Sequence, residues 1–378
     1  MRASARLRPA YGFDDVAIVP GEITVDPADV DCSWQIGPHR LQLPILASAM
    51  DGVVDPAFAN SIGRAGGMAV LNLEGLQTRY ERPAEVLQEI ATAPREAVTA
   101  LLQQRYAAPI QERLIGERIA EIKRAGVLAA VSSTPANADR FSRLAVEAGV
   151  DVVVIQSTVS TARFSSSSGP VLSFERLCAE LPVPVVVGNC VSFPAAYELM
   201  ETGIAGLLVG VGPGSACTSR EVLGIGVPQI TATLDCAAAR DTYFRRTARY
   251  VPVITDGGMR TGGDICKAFA AGADAVMLGS PFAQCAEAPG RGNHWGMATP
   301  HASLPRGTRI SVGVRSSLER TLFGPTDRVD GTENFVGTLK SCMGVVGALQ
   351  IRDLHRAEMV IASAIKTEGK SWQLAARG

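Results

Sequence analysis

The amino-acid sequence predicts an α/β protein built as a (β/α)8 barrel, the TIM barrel, with a single domain over residues 1–378. Three observations lead to this fold class. Eight short, strongly apolar runs recur along the chain, helix-like segments separate them, and the units follow one another without the reversal expected of a doubly wound sheet. Such a barrel carries its functional residues at the carboxyl ends of the strands, with phosphate sites after strands seven and eight.

Each apolar run is predicted to be a strand buried on both faces, because parallel strands covered by helices have no polar side. The runs are PILAS (44–48), MAVLN (68–72), VLAAVS (127–132), DVVVIQ (151–156), VPVVVGN (183–189), GLLVG (206–210), VPVIT (251–255) and DAVMLG (274–279). The segments predicted to be helical include 56–67, 174–181, 193–203 and 264–273. An AG or TG pair commonly precedes the next strand, and its glycine ends the helix.

Two stretches and the tail depart from this repeat. Residues 74–122, between strands two and three, form a long charged segment that predicts a helical insertion or an interface. Residues 284–312, after strand eight, are rich in Gly and Pro and predict an active-site flap, since a long loop at this end of a barrel is commonly a lid. Residues 331–363 are predicted to be helical and to close the barrel.

The composition indicates a small-molecule ligand. Of the 378 residues, 47% are hydrophobic and 19% are charged, and the formal net charge is -1. Near-neutral charge without a basic block argues against nucleic acid or an anionic membrane as the main partner. Because no apolar run is long enough for a signal peptide or a membrane span, the chain is expected to be cytoplasmic. The eight scattered cysteines show no metal-ligand spacing and are expected to be thiols.

Polar and glycine residues gather where the predicted strands end. They are Ser48, Asn72, Gln156, Asn189, the loop 210–220, Asp256, Gly257, Gly258, Gly279 and Ser280. The loop reads GVGPGSACTSR, and its glycines with Ser215 offer bare backbone that could hold a phosphate. The same glycines suit an ordinary tight turn between a strand and a helix. The further glycines after strands seven and eight favour the phosphate site.

Cys217 differs from the other cysteines because it lies in this polar loop, close to Ser219. A single cysteine is most often an inert core residue, but a thiol at the rim of a barrel can attack an electrophilic carbon. Asp256 precedes two glycines at a strand end. It could cap the next turn or accept hydrogen bonds from ribose hydroxyls, and the adjoining glycines favour the second role.

Seven stretches resemble motifs of the IMP dehydrogenase and GMP reductase family. They are GVGPGSACTSREVLGIGVPQITAT (210–233), ITDGGMRTGGDICKAFAAGADAVMLGS (254–280), YGFDDVAIVP (11–20), LPILASAMDGVVD (43–55), VVGNCVS (186–192), WGMATP (295–300) and LKSCMGVVGA (339–348). The resemblance covers most of the chain. It implies that Cys217 attacks C2 of a purine ring and that hydride moves between C2 and a nicotinamide cofactor.

The resemblance also implies roles for individual residues. Cys217 and Ser219 would be catalytic, and Gln156 and Ser157 would bind the cofactor. The substrate set would comprise Ser48 and Met50 at the base, Asp256 at the ribose, Ser215, Gly258, Gly279 and Ser280 at the 5′-phosphate, Gly296, Met297 and Ala298 at the purine edge, together with Asn189, Gly212 and Gly257. Carbonyl groups of Gly212, Gly214 and Cys217 would hold a monovalent cation such as potassium.

Two departures from the family pattern bear on the reaction. Only the 74–122 segment stands where the dehydrogenases usually carry CBS modules, so regulation through such modules is not expected. The last tyrosine is Tyr250, so the 284–312 flap lacks the Arg-Tyr pair with which the dehydrogenases activate water. The missing pair favours an NADPH-dependent GMP reductase, because reducing GMP to IMP and ammonia needs no hydrolytic step.

Further departures leave alternatives open. Ser219 replaces a threonine, Gln156 replaces a nicotinamide-contacting aspartate, and no flap glutamate aligns, with Glu287 and Glu319 the nearest carboxylates. One alternative is an IMP dehydrogenase that uses NAD and an atypical base. Another is a catalytically silent protein that binds purine nucleotides. The chain resembles the CBS-less, IMP dehydrogenase-related subgroup, which implies a homotetramer or homo-octamer.

Overall fold

The computed structural model describes residues 7–165, 171–296 and 308–362. Eight parallel strands, β4 to β11, form a closed barrel in which β11 pairs with β4. These are the eight predicted runs, so the predicted fold class is confirmed. The strands are β1 Val16–Ile18, β2 Trp34–Ile36, β3 His39–Leu41, β4 Ile45–Ala47, β5 Met68–Asn72, β6 Ala130–Ser133, β7 Val152–Gln156, β8 Val185–Cys190, β9 Gly206–Val209, β10 Val253–Asp256, β11 Ala275–Leu278, β12 Asn293–His294, β13 Ile310–Ser311 and β14 Met359–Ile361.

Helices alternate with the barrel strands, and short polar side chains begin several of them. Asp55 accepts the amide hydrogen of Phe58 at 2.7 Å at the start of α1, and Thr261 accepts that of Asp264 at 3.2 Å at the start of α10. The helices are α1 Pro56–Arg64, α2 Pro83–Thr92, α3 Val98–Tyr106, α4 Glu112–Lys123, α5 Ala138–Glu147, α6 Phe174–Glu180, α7 Phe193–Glu201, α8 Ser219–Leu223, α9 Gln229–Thr247, α10 Gly262–Ala270, α11 Ser280–Ala283, α12 Leu318–Phe323, α13 Phe335–Val346 and α14 Ile351–Leu354.

Two apolar layers stabilise the barrel. The larger layer lies between the strands and the surrounding helices. In the second, inward-pointing side chains such as Leu46 and Met277 pack with Trp34 and Ile36 of the β2–β3 hairpin. Ile36 lies beside Gly206, the first residue of β9. The hairpin therefore covers the amino-terminal end of the barrel and leaves the carboxyl ends of the strands for ligands.

The predicted helical insertion contains α2, α3 and α4. Helix α4 contributes Ile115 and Ile119 to the main core, so it belongs to the outer layer of the barrel. Helices α2 and α3 form a separate small core of their own, which also buries Trp295 from the flap region. The insertion into the regular barrel is therefore the α2–α3 pair, and this pair contacts the segment that follows β11.

The tail differs from its prediction in one respect. Helices α13 and α14 are present, but Met359–Ile361 forms strand β14, which pairs antiparallel with β1. Its apolar residues suit a strand edge, and the barrel itself is closed by β11 and β4. The interpretation that the tail closes the barrel was wrong. Among the described residues, no helix has the length and apolar character needed to cross a membrane.

Candidate active site

A large cavity of about 1110 Å3 opens at the carboxyl ends of the barrel strands. The predicted site residues that line it are Ser48, Met50, Gln156, Ser157, Asn189, Gly212, Gly214, Ser215, Cys217, Ser219, Asp256, Gly257, Gly258, Gly279, Ser280 and Gly296. Met297 and Ala298 lie outside the described residues. Asn72, although it ends β5, does not line the cavity, and its side chain accepts the Glu74 amide hydrogen at 3.0 Å.

The backbone conformation of the loop after β9 requires glycine. Gly210 has a φ of 149° and Gly212 a φ of 84°, values that other residues rarely adopt. A Cβ on Gly210 would lie 2.3 Å from the carbonyl oxygen of Asp256, so the loop can approach β10 closely only with glycine there. Beyond it, the carbonyl of Gly214 accepts the amide hydrogen of Cys217 at 3.0 Å. This tight turn brings the thiol onto the cavity wall.

Cys217 is partly buried, and its thiol donates to the hydroxyl of Ser219 at 3.3 Å. This setting differs from that of three cysteines away from the cavity, Cys32, Cys178 and Cys285. Burial raises the pKa of Cys32 and of Cys178 to about 11 and that of Cys285 to about 12, so those thiols resist ionisation. They suit structural roles, whereas Cys217 faces the cavity with a hydroxyl partner.

A row of three polar side chains occupies one end of the cavity. The hydroxyls of Ser215 and Ser280 lie 2.6 Å apart, and His294 Nε2 lies 2.9 Å from the Ser280 hydroxyl. Burial lowers the pKa of His294 to about 4, so its imidazole is neutral at neutral pH. Its Nδ1 atom is buried without a hydrogen-bond partner in the described part of the chain.

Sequence reasoning missed His294. Its imidazole reaches the cavity from β12, beside two serines assigned to the phosphate. The available signal was its position directly before the WGMATP stretch, since His294 is one of four histidines in the chain. No local pattern connects it with Ser280, which is 14 residues away and in another element.

Glycines shape the backbone beside this row. Gly257 and Gly258 have φ values of 83° and 84°. A Cβ on Gly258 would lie 3.0 Å from the side chain of Pro213, and one on Gly279 would lie 3.1 Å from the sulfur of Met50. The loops after β9, β10 and β11 therefore pack against one another with backbone exposed to the cavity, the arrangement that anion sites use.

Asp256, also on the cavity wall, accepts hydrogen bonds from two side-chain amides. Its Oδ2 atom accepts hydrogen bonds from Gln156 Nε2 at 3.0 Å and Asn189 Nδ2 at 2.9 Å. Gln156 Nε2 also donates to Asn189 Oδ1 at 3.1 Å. Burial raises the pKa of Asp256 to about 6, against the opposing effect of the two amide donors. The three side chains form one rigid polar group whose carboxylate borders the cavity.

Some polar atoms of the predicted cofactor residues, Gln156 and Ser157, already form hydrogen bonds within the protein. The Gln156 amide nitrogen is committed to Asp256 and Asn189, while its Oε1 atom is buried with no partner in the described structure. Such an orphaned acceptor suits a donor from a bound molecule. The Ser157 hydroxyl donates to the carbonyl of Val159 at 2.8 Å. Of this pair, Gln156 therefore offers the clearer ligand contact.

The carboxylates nearest the flap are structural. Glu287 Oε2 accepts the amide hydrogen of Leu318 at 2.9 Å, and Glu319 lies in the first turn of α12. Neither lines the cavity. Within the described ranges, no group of three or more His, Cys, Asp or Glu side chains is arranged to hold a metal ion.

Comparison with known proteins identifies the family. The profile described as "IMP dehydrogenase / GMP reductase domain" matches residues 10–371. The chain belongs to the IMP dehydrogenase and GMP reductase family. A crystal structure of an IMP dehydrogenase/GMP reductase-like protein from Corynebacterium glutamicum superposes with a TM-score of 0.89 at 34% identity, covering 96% of this chain and 97% of that one.

Curated relatives carry two kinds of name. A protein of Mycolicibacterium smegmatis named as an uncharacterized oxidoreductase is 42% identical over 94% of this chain and 97% of its own length. The inosine-5′-monophosphate dehydrogenase of Cryptosporidium parvum is 28% identical over 91% of this chain and 90% of its own length. Members of the IMP dehydrogenase and GMP reductase family act on purine nucleotides with nicotinamide cofactors. This chain is an oxidoreductase of that family.

Proposed function

We propose that the protein is an NADPH-dependent GMP reductase, which converts GMP to IMP and ammonia through a covalent bond between Cys217 and C2 of the purine. The observation that carries the proposal is that the 284–312 flap contains no tyrosine, and so lacks the Arg-Tyr pair with which the dehydrogenases of the family activate water for a hydrolytic step. Tyr250 is the last tyrosine of the sequence, so the flap has no Arg-Tyr pair. Hydrolysis of a covalent intermediate needs such a base, whereas reduction does not.

The described carboxylates on the cavity wall are engaged elsewhere. Asp15 accepts the amide hydrogen of Gly12 at 2.7 Å, and Asp14 pairs with Arg260 at 2.8 Å. Asp256 Oδ2 accepts hydrogen bonds from the amides of Gln156 and Asn189. None of these groups contacts the thiol of Cys217, which supports the reductase over a dehydrogenase.

The hydrogen bond between Cys217 and Ser219 gives the first half of the reaction a route for its proton. As the sulfur attacks C2 of GMP, an S–C2 bond forms, and the Ser219 hydroxyl, 3.3 Å from the thiol, accepts the thiol hydrogen while it donates its own hydrogen to the C2 amino group. The C2–N bond then breaks and ammonia leaves. Bound NADPH would supply the hydride that replaces sulfur at C2, which yields IMP and releases the Cys217 thiolate. A proton from solvent then restores the thiol.

The remaining groups hold the nucleotide in place. We assign the ribose hydroxyls to the Asp256 carboxylate and the 5′-phosphate to the Ser215, Ser280 and His294 row with the adjoining glycine backbone. Phosphate binding at one end and ribose binding in the middle would leave the purine over Cys217. Fixing an electrophile beside a nucleophile in this way lowers the entropic cost of attack.

The cofactor, cation and assembly extend this proposal. The cavity volume of about 1110 Å3 exceeds the roughly 300–1,000 Å3 typical of single-ligand pockets, and so suits a nucleotide together with a nicotinamide. The orphaned Gln156 Oε1 would accept an N–H of the carboxamide. The carbonyls of Gly212, Gly214 and Cys217 would supply part of a potassium site, although that of Gly214 already accepts one hydrogen bond. A homotetramer or homo-octamer remains the expected assembly.

Two assays with the purified protein test the direction of the reaction. With GMP and NADPH we expect loss of absorbance at the reduced-nicotinamide band and release of ammonia. With IMP and NAD we expect no steady turnover. NAD reduction with IMP, without NADPH loss with GMP, would replace the proposal by an IMP dehydrogenase with an atypical base.

A further inference from the structure

A buried chain of hydrogen bonds joins the α2–α3 insertion to two segments at the cavity mouth. Trp295 Nε1 donates to the Tyr106 hydroxyl at 2.6 Å, and that hydroxyl donates to Oδ2 of Asp51. Asp51 Oδ1 accepts the amide hydrogen of Leu76 at 3.0 Å. The exposed fractions of Asp51, Tyr106 and Trp295 are 2%, 8% and 2%. Their polar atoms therefore depend on one another rather than on water.

The two ends of this chain are next to residues of the cavity wall. Asp51 directly follows Met50, and Trp295 lies between His294 and Gly296. Met50, His294 and Gly296 all line the cavity. Any displacement of Asp51 or Trp295 would therefore move a cavity residue through a single peptide unit.

The loop after β4 and the base of the flap also pack directly against each other. The amide of Gly290 donates to the carbonyl of Gly52 at 3.0 Å. A Cβ on Gly52 would lie 2.4 Å from the carbonyl oxygen of Asn293. The two segments are thus close enough for a single side chain to form hydrogen bonds with both.

A second contact ties the far side of the flap to the same insertion. Arg309 Nη1 donates to the carbonyls of Ile90, Ala91 and Ala93 at 2.6, 2.9 and 2.8 Å. These carbonyls end α2, where a cation is favoured by the helix dipole. Both described flanks of the flap, at Trp295 and at Arg309, therefore rest on the α2–α3 pair.

Apolar packing by itself does not explain why this series of hydrogen-bonded polar groups is buried. Burial raises the pKa of Asp51 to about 6, which shows that its carboxylate is an unfavourable group to bury there. A buried polar group that keeps all its partners specifies one geometry, because losing one partner leaves the others unsatisfied. The Tyr106 hydroxyl forms hydrogen bonds with Trp295 and with Asp51 at the same time.

We propose that Tyr106 is a positioning residue of the nucleotide site, because its hydroxyl fixes the loop after β4 and the base of the flap in one relative position. Met50 and His294 then face the same bound nucleotide. The identity of that ligand rests on the proposed function, whereas the coupling of the two segments does not. Tyr106 itself touches no reacting atom and acts through Asp51 and Trp295.

The test uses Tyr106→Phe in the full chain, with Tyr80→Phe as its matched control. Tyr80 is in the same insertion and packs on the same small core, but its hydroxyl donates only to the carbonyl of Arg105 at 2.9 Å. Amide hydrogen exchange is measured in the unliganded protein for peptides covering 48–54 and 288–296. The Kd for GMP is measured by titration calorimetry, and KM and kcat are measured in the reductase assay.

We expect Tyr106→Phe to speed exchange in both peptides and to raise the Kd and KM for GMP about five- to tenfold, the effect of one lost buried hydrogen bond, with a smaller change in kcat. Trp295→Phe should give the same pattern, and Tyr80→Phe should change none of these quantities. Unchanged exchange, or faster exchange with an unchanged Kd, would overturn the proposal. If the wild-type protein binds neither GMP nor IMP, the proposed function fails, and the exchange data alone decide whether Tyr106 couples the two segments.

Discussion

The thiol of Cys217 lies 3.3 Å from the hydroxyl of Ser219 and donates a hydrogen bond to it. The two residues are only two positions apart, yet they belong to different elements, the loop after β9 and the first turn of α8. In the proposed reaction, this pairing provides Cys217 with a proton relay in the adjoining helix. Two predictions about turnover depend on it.

Replacing the nucleophile should separate chemistry from binding. Cys217→Ala should reduce kcat by about a thousandfold or more, because no other thiol faces the purine, while the Kd for GMP should change less than about threefold. The measurements are the two-substrate assay and titration calorimetry. Unchanged turnover in Cys217→Ala would refute the nucleophile. A wild-type protein that binds GMP without turnover would instead indicate the silent nucleotide-binding protein.

Removing the proton relay should lower kcat without loss of substrate affinity. Ser219→Ala should reduce kcat by roughly a hundredfold, the lower end of the usual contribution from a positioned acid–base group. Ser219→Thr keeps the hydroxyl and serves as the control, and it should retain most of the activity. Equal rates for the alanine and threonine variants would show that the hydroxyl does not carry the proton.

The pKa of Asp256 predicts how nucleotide binding depends on pH. With a pKa of about 6, the carboxyl is protonated in acid and can accept ribose hydrogen bonds fully only above that value. The Kd for GMP should therefore fall as the pH rises from 5 to 7. The nucleotide phosphate also titrates near pH 6, so it too makes the Kd depend on pH. The Asp256→Asn variant keeps the contribution of the phosphate and lacks that of the carboxyl group. Its Kd should therefore change less steeply with pH than the Kd of the wild type.

The raised pKa of Asp256 also predicts how the stability of the unliganded protein depends on pH. The folded-state pKa of about 6 lies above the ordinary value of 3.8, so the folded state binds more protons than the unfolded state between these values. The contribution of Asp256 to stability is present below pH 3.8 and is lost as the pH rises through 6. Thermal unfolding should show a larger decrease in Tm over this window for the wild type than for Asp256→Asn.

His294 should contribute more to the binding of nucleotides than of nucleosides. His294→Asn would disturb the row formed with Ser280 and Ser215, and we expect the Kd for GMP to rise about tenfold, the worth of one or two hydrogen bonds to an ion, with little effect on guanosine. His355→Asn is the matched control, since its imidazole is half-buried away from the cavity and hydrogen-bonds to the carbonyl of Ala273 at 2.7 Å. An equal loss of affinity for GMP and guanosine would place His294 away from the phosphate.

Two glycines of the 210–220 loop should differ sharply in their tolerance of alanine. Gly210→Ala places a Cβ 2.3 Å from the Asp256 carbonyl at a φ of 149°, and it should reduce the free energy of unfolding by about 2 kcal/mol or more and weaken nucleotide binding. Gly214→Ala meets no atom within 4 Å and should be nearly neutral. Chemical denaturation measures both. Equal stability of the two variants would show that the loop can move away from β10.

Much of the fold could be predicted because its signals are local. The run MAVLN became β5 with the bounds expected, and each of the other apolar runs overlaps a barrel strand. The tail was misjudged at Met359–Ile361, since three apolar residues form a strand only when a partner such as β1 is present. The helical insertion was expected as one unit, but burial of Ile119 in the main core assigns α4 to the barrel.

The sequence by itself determined the barrel and the glycine loops, because buried strands leave continuous apolar runs and close backbone approaches leave glycines. Tertiary structure alone decided the partners of the buried polar groups. Ser280 with His294 and Asp51 with Tyr106 join elements that are distant along the chain. Hydrogen bonds of this kind depend on distance and direction in space, and a buried histidine or tyrosine carries no local pattern that names its partner.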